Sequence, residues 1–181
     1  MPCNPVPVAG PANASLVAGL VLAVLLVTPV AAQQGPQRLG EHGAWTAATH
    51  QEGGQKVCYA FARPARSASA PANRGAVTLT VAHRPNGRDQ VALSAGYALG
   101  RAAQSVLAVG EQEFRSYGVV RTSAFFNSSE ELITAFRRGR DAVARTPAPT
   151  GGGAVTDTFS LSGFTAAYEA ISRACPARPG R

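Results

Sequence analysis

Val77-Thr78-Leu79-Thr80-Val81 is the strongest strand signal in this chain, because Val77, Leu79 and Val81 alternate with two threonines and give one apolar and one hydroxylated face. Pro85-Asn86-Gly87 then supplies turn residues, and Gln90–Ala95 runs back as the second arm of a hairpin. Working outward, the same grammar repeats. Trp45–His50 and Lys56–Ala62 flank Gln51-Glu52-Gly53-Gly54, a glycine-containing turn. In the second of those runs Val57, Tyr59 and Phe61 form a large apolar face, while Cys58, Ala60 and Ala62 look the other way. Ala62–Arg74 has no periodicity and reads as a loop. Further strands are expected at Val106–Val109, in a short run around Phe114, at Val119–Phe125, at Asp141–Thr146 and at Val155–Leu161, the last two joined by a turn at Pro147–Gly153. So many short strands predict a mainly β domain, an antiparallel β-sandwich or barrel-like fold with two short helices, one of them C-terminal.

The first helix opens at Ser128-Ser129-Glu130-Glu131, where Ser128 and Glu131 form a capping box. Leu132, Ile133 and Phe136 make its buried stripe, and Gly139 suits a left-handed stop. Its acidic start and the Arg137, Arg138 and Arg140 cluster at its end match the helix dipole, which explains the arginines without a binding patch. In the second helix, Phe164, Ala167, Tyr168 and Ile171 stand at helical spacing, with Ser162 as the cap, Cys175 continuing the stripe and Pro176 ending it.

Residues 1–32 read as a secretory signal: the apolar run Ser15–Val27, then Pro29, then small residues, with cleavage after Ala32. The competing reading, an uncleaved anchor, asks Ser15–Val27 to do the work of the roughly 20 apolar residues of a membrane span. Beyond the signal, the chain is expected to have a flexible segment over 33–42, a single domain over 43–176 and a flexible tail over 177–181. The signal implies a periplasmic or secreted location.

The 17 basic and 10 acidic side chains give a net charge of +7, with Lys56 the only lysine. Neither a run of like charge nor aromatic interleaving points to nucleic acid. A weak contact with an anionic membrane surface, or binding of an anionic lipid or glycan, is the alternative that this charge allows.

In an oxidising compartment Cys58 and Cys175 are expected to form a disulfide. For a loop of roughly 100 residues, chain entropy gives on the order of 4–5 kcal/mol. No Cys-x-x-Cys spacing suggests redox chemistry.

His42, His50 and His83 are the only histidines, and a periplasmic metal-dependent hydrolase would use all three. Their spacing does not require it, and His83, in phase with Val81, reads as a half-buried strand residue. Ser160-Leu161-Ser162-Gly163 lacks the Gly-x-Ser-x-Gly elbow, Asp141 and Asp157 are isolated carboxylates, and no phosphate loop or dinucleotide fingerprint is present. The residues therefore point to no catalytic group, metal or cofactor.

Gly43-Ala44-Trp45, Lys56-Val57-Cys58-Tyr59-Ala60 with Pro64, Gly96-Tyr97, and above all Thr156-Asp157-Thr158-Phe159-Ser160-Leu161-Ser162-Gly163-Phe164-Thr165-Ala166-Ala167-Tyr168 resemble the invasion-associated locus B family of exported bacterial proteins. The pieces span Gly43–Cys175. The Pro64–Arg74 loop departs from the family in its Ala and Ser content, and the arginine content is high. The resemblance implies an envelope-associated β-rich protein without catalytic residues to carry over. Its expected partner is an envelope macromolecule or a cell-wall component, and a host-cell role does not transfer with it.

Overall fold

The Val77–Val81 alternation lies largely within a strand, Thr78–Arg84, the fifth of eleven in the computed structural model, which describes residues 35–127 and 130–177. In chain order these are β1 Gln37–His42, β2 Trp45–Glu52, β3 Gln55–Ala62, β4 Arg66–Ala68, β5 Thr78–Arg84, β6 Gly87–Ser94, β7 Val106–Val109, β8 Gln112–Val120 and β9 Ser123–Phe126. Helix α1, Glu130–Arg138, then precedes β10 Asp141–Pro147 and β11 Ala154–Ser160, and α2, Phe164–Ala174, comes last. The described residues belong to one compact unit, Gln33–Arg181. None of their helices is long and apolar enough to cross a membrane. The expected signal at 1–32, the Ser128 half of the capping box and residues 178–181 of the tail lie outside the described residues.

The fold is mainly antiparallel β with two short helices, the second C-terminal. The strands run in the open order β1-β2-β3-β5-β6-β9-β8-β7-β10-β11-β4, every neighbouring pair antiparallel, and β1 and β4 are the two edges. Strand β8 joins the halves: Gln112–Arg115 pairs with β7 and Ser116–Val120 with β9, with a register shift between Ser116 and Gly118. Such a bulge bends a strand and lets it serve two ladders.

Several expectations change. Residues 37–42 are not a flexible lead-in. They form β1, whose backbone satisfies the open side of β2. The loop read over Ala62–Arg74 contains β4, which pairs Arg66–Ala68 with Thr156–Thr158 of β11. The short strand around Phe114 extends through Val120, and the run Val119–Phe125 is broken by a turn at Arg121, whose φ of 55° reverses the chain. Gly139 is not left-handed, being absent from the positive-φ residues. It is required by space, since a side chain there would run into Val109 and approach Leu161 and the Ala135 carbonyl. Ser162 does not cap α2: the N-cap is Gly163, at φ 86°, and no side chain caps it. The two faces of β3 separate as expected: Cys58, Ala60 and Ala62 are all buried, and on the other face Val57 is buried while Tyr59 and Phe61 are half-exposed.

That arrangement has a packing cause. The inner side of β1, β2, β3 and β5 is covered by α2. Trp45, fully buried, meets Phe164 at 4.9 Å and Phe136 at 6.2 Å, and its indole N–H donates to the Ser160 carbonyl of β11 at 3.0 Å. Bulky rings from β2, α1 and α2 fill this space, so β3 contributes small side chains to it. One core cluster draws on both halves of the sheet and both helices.

Candidate functional site

Directly paired residues of an antiparallel ladder share a face. His83 is paired with Cys58, so it lies on the inner face, beneath α2. His50 is paired with Val57, one residue out of phase, and lies on the outer face. His42 is paired with Trp45, on the inner face, but four residues before the Thr49–Cys58 pair, about 13 Å along the strand. The three histidines are therefore not brought together. Among the described residues no group of three His, Cys, Asp or Glu side chains is placed to hold a metal ion. His50 packs edge-on against Tyr59 at 5.2 Å, and the buried Nε2 of His42 has no hydrogen-bond partner in the structure.

What α2 does assemble is a buried polar network. His83 Nε2 lies 3.0 Å from Ser172 Oγ, and its Nδ1 lies 3.6 Å from Asp89 Oδ1. Tyr168 donates to Asp89 Oδ1 at 2.6 Å, and Arg88 donates to the Cys175 carbonyl at 2.6 Å. Asp89, His83 and Ser172 thus stand in the order of an acyl-transfer triad, but the carboxylate is not bonded to the ring it would have to orient. The Asp89 carboxylate stands 3.6 Å from Nδ1, beyond hydrogen-bond reach, and the Asp89 backbone N–H lies 3.4 Å from the same nitrogen. The carboxylate that would orient the ring already accepts the Tyr168 hydroxyl.

Charge obeys the same logic. Burial, and then the nearby Arg88, push His83 down to about 4, so the ring is neutral at physiological pH. Burial and the hydrogen bond to Asp89 raise Tyr168 to about 12, which keeps it a donor. Neighbouring Lys56, Arg84 and Arg88 line a cleft of about 360 Å³ with Cys175 and Pro176. Its arginines are engaged, Arg84 with Glu52 and Arg88 with the Cys175 carbonyl. Elsewhere Arg74 forms a bidentate pair with fully buried Asp157 at 2.8 and 2.6 Å, and Ser67 donates to the same carboxylate at 2.5 Å.

The outer face of β2, β3, β5, β6, β9 and the end of β8 is of another kind. Its paired positions are Thr46, Ala48 and His50; Val57, Tyr59 and Phe61; Thr78, Thr80 and Ala82; Gln90, Ala92 and Ser94; Ser123 and Phe125; and Gly118 and Val120. None of these is Asp, Glu, Lys or Arg, and the face acquires charge only at its hairpin end, where Glu52, opposite Gln55, and Arg84, opposite Gly87, are ion-paired with each other. The bordering charges on β1, Arg38 and Glu41, are paired with each other at 2.5 Å. By contrast, Glu113, Arg115 and Arg145 share one face of β8 and β10. Val120 is 60% exposed and Tyr117, the bulged residue of β8, 67%. This face is the candidate functional site.

A sequence profile described as Invasion associated locus B (IalB) protein matches residues 45–172. The chain belongs to this family. Its fold is similar to the crystal structure of invasion associated protein b from Bartonella henselae, with a TM-score of 0.52 and 18% identity over 75% of this chain and 95% of that one. At that identity the likeness speaks for the fold. No curated protein matches the chain by sequence.

The IalB match runs from Trp45 to Ser172, so it takes in both the disulfide strand and the helix that carries the polar network. Cys58 and Cys175, expected from the sequence to be partners, are bonded, with Cα atoms 6.0 Å apart. Sequence reading missed Asp89, Tyr168 and Ser172 around His83, because Ser172 is 89 positions from His83. It missed the charge-poor outer face as well, although alternate positions taken strand by strand contain that signal.

Proposed function

We propose that this IalB-family chain is exported and acts in the bacterial envelope as a binding domain without a reaction of its own, holding another macromolecule or a cell-wall component. The observation that carries this reading is the outer face across six strands, whose only charges are the mutually paired Glu52 and Arg84 at one end and which stays half-exposed in a chain of net charge +7. Burying charged groups is costly, so a surface free of them is suited to being covered. The Cys58–Cys175 bridge supports an oxidising compartment. The carboxylate nearest His83 accepts the Tyr168 hydroxyl and is not bonded to the ring, which speaks for a structural role at that position.

Crosslinking from envelope fractions tests the reading. The chain should capture a reproducible partner, a charge placed on the outer face by Thr80→Lys should abolish the capture, and the exported form should begin at Gln33. Recovery of a cytoplasmic chain that starts at Met1, or of no partner, would overturn it.

A further inference from the structure

We infer that the outer face binds an uncharged glycan chain, with Tyr59, Phe61 and Phe125 as its aromatic platform. The inference rests on the binding-domain reading above and specifies the partner's chemistry. Tyr59 and Phe61 succeed one another on the outer side of β3, with ring centroids 6.0 Å apart and planes 27° from parallel, a separation close to the length of one sugar ring. Phe125 stands across the sheet on β9, opposite Ala92. Between them Thr80 is paired with both Phe61 and Ala92, and Gln90 with Ala82. The Tyr59 hydroxyl makes no hydrogen bond among the described residues.

A sugar ring presents apolar C–H faces and a rim of hydroxyls, and this surface alternates aromatic rings with hydroxyl and amide groups in the same way. An apolar protein or lipid surface would cover Thr80, Gln90 and the Tyr59 hydroxyl without giving them partners, at a cost for each. An anionic polymer or headgroup would meet no unpaired cation on this face of these strands, because Arg84 at the hairpin end is held by Glu52 and Arg38 on the bordering strand by Glu41. Ala48 and Ala82, the cross-strand partners of Tyr59 on the same face, are small and buried, so the Tyr59 ring is flanked by compact neighbours on both sides. A platform on a sheet is rigid before binding, and little ordering entropy opposes association.

The test is calorimetric titration of the whole chain with chitohexaose and cellohexaose, and with a heparin hexasaccharide as the charged comparison. A neutral hexasaccharide should bind saturably, with affinity unchanged between roughly 0.05 and 0.5 M NaCl. Tyr59→Ala should weaken that binding by about tenfold or more. Thr80→Lys, which removes no aromatic group, should do the same while leaving circular dichroism and the melting temperature near those of the parent. The inference is overturned if neither neutral sugar binds, if binding survives both variants, if only heparin binds, or if the face instead mediates self-association that Thr80→Lys abolishes. Envelope capture that depends on Thr80 while both neutral sugars fail removes the glycan and leaves the broader reading standing. Loss of both removes the two together.

Discussion

Cys58 and His83 face each other across the β3–β5 ladder. The disulfide to Cys175 and the hydrogen bond to Ser172 therefore fasten the last turn of α2 to adjoining strands on one row of the sheet. Arg88 adds a third tie through the Cys175 carbonyl. A covalent bond, a neutral imidazole and a guanidinium thus hold the end of one helix.

Reducing the bridge should lower stability by on the order of 4–5 kcal/mol, since it closes a separation of 117 residues. Denaturant titration of oxidised and reduced protein reads the difference, and the oxidised digest should yield a linked Cys58–Cys175 peptide. A difference under about 1 kcal/mol would show that the unfolded chain gains little freedom when the bridge opens.

His83 makes stability depend on pH with a defined sign. Its ordinary value is 6.5 and its folded value about 4, so between them the unfolded chain binds the extra proton. The contribution is present in full above pH 6.5 and is lost as pH falls toward 4 and below. Melting temperature should drop by roughly 5–10 °C across that window from this group. In His83→Gln the slope between pH 6.5 and 4 should flatten, and an unchanged slope would assign it to other groups.

Arg74→Ala should destabilise by about 3–5 kcal/mol, because it strands the Asp157 carboxylate in a fully buried site. Asp157→Asn, which keeps the shape and a hydrogen-bond acceptor, should cost less. Equal losses in the two variants, measured by urea denaturation, would mean that packing rather than charge carries the effect.

Gly163→Ala should cost more than about 2 kcal/mol, because φ there is 86° and a side chain would collide with the His42 carbonyl. Gly151→Ala, at a similar φ of 80° but with open space around it, should cost only the backbone strain. Thermal melts of the two separate collision from strain.

The local half of this architecture was readable. The Val77–Val81 alternation, the Gly53-Gly54 hairpin and the Phe164–Ile171 spacing are set by neighbours in sequence, and each appears where expected. Strand β4 was not, because three residues without a periodic pattern become a strand only through a partner 90 positions away, as the Ser67–Asp157 hydrogen bond shows. Asp157 carried a signal that isolation concealed: it lies in phase with Val155 and Phe159, so its face had to be buried and its charge had to be met. Which face of β3 is the inner one was not legible, because side-chain size does not reveal what the opposing layer supplies. The outer face, built from alternate residues of six strands, becomes a surface only once the strands are ordered.

Trp45 is the chain's single tryptophan, and its indole touches β11, α1 and α2 at once from within β2. Its fluorescence therefore reports whether all four elements are assembled, with a red shift when any of them parts from the indole. Because the ring lies on the opposite side of the sheet from Tyr59 and Phe61, a ligand settling on that platform leaves the emission unchanged. One intrinsic optical probe thus distinguishes unfolding from occupancy without a label.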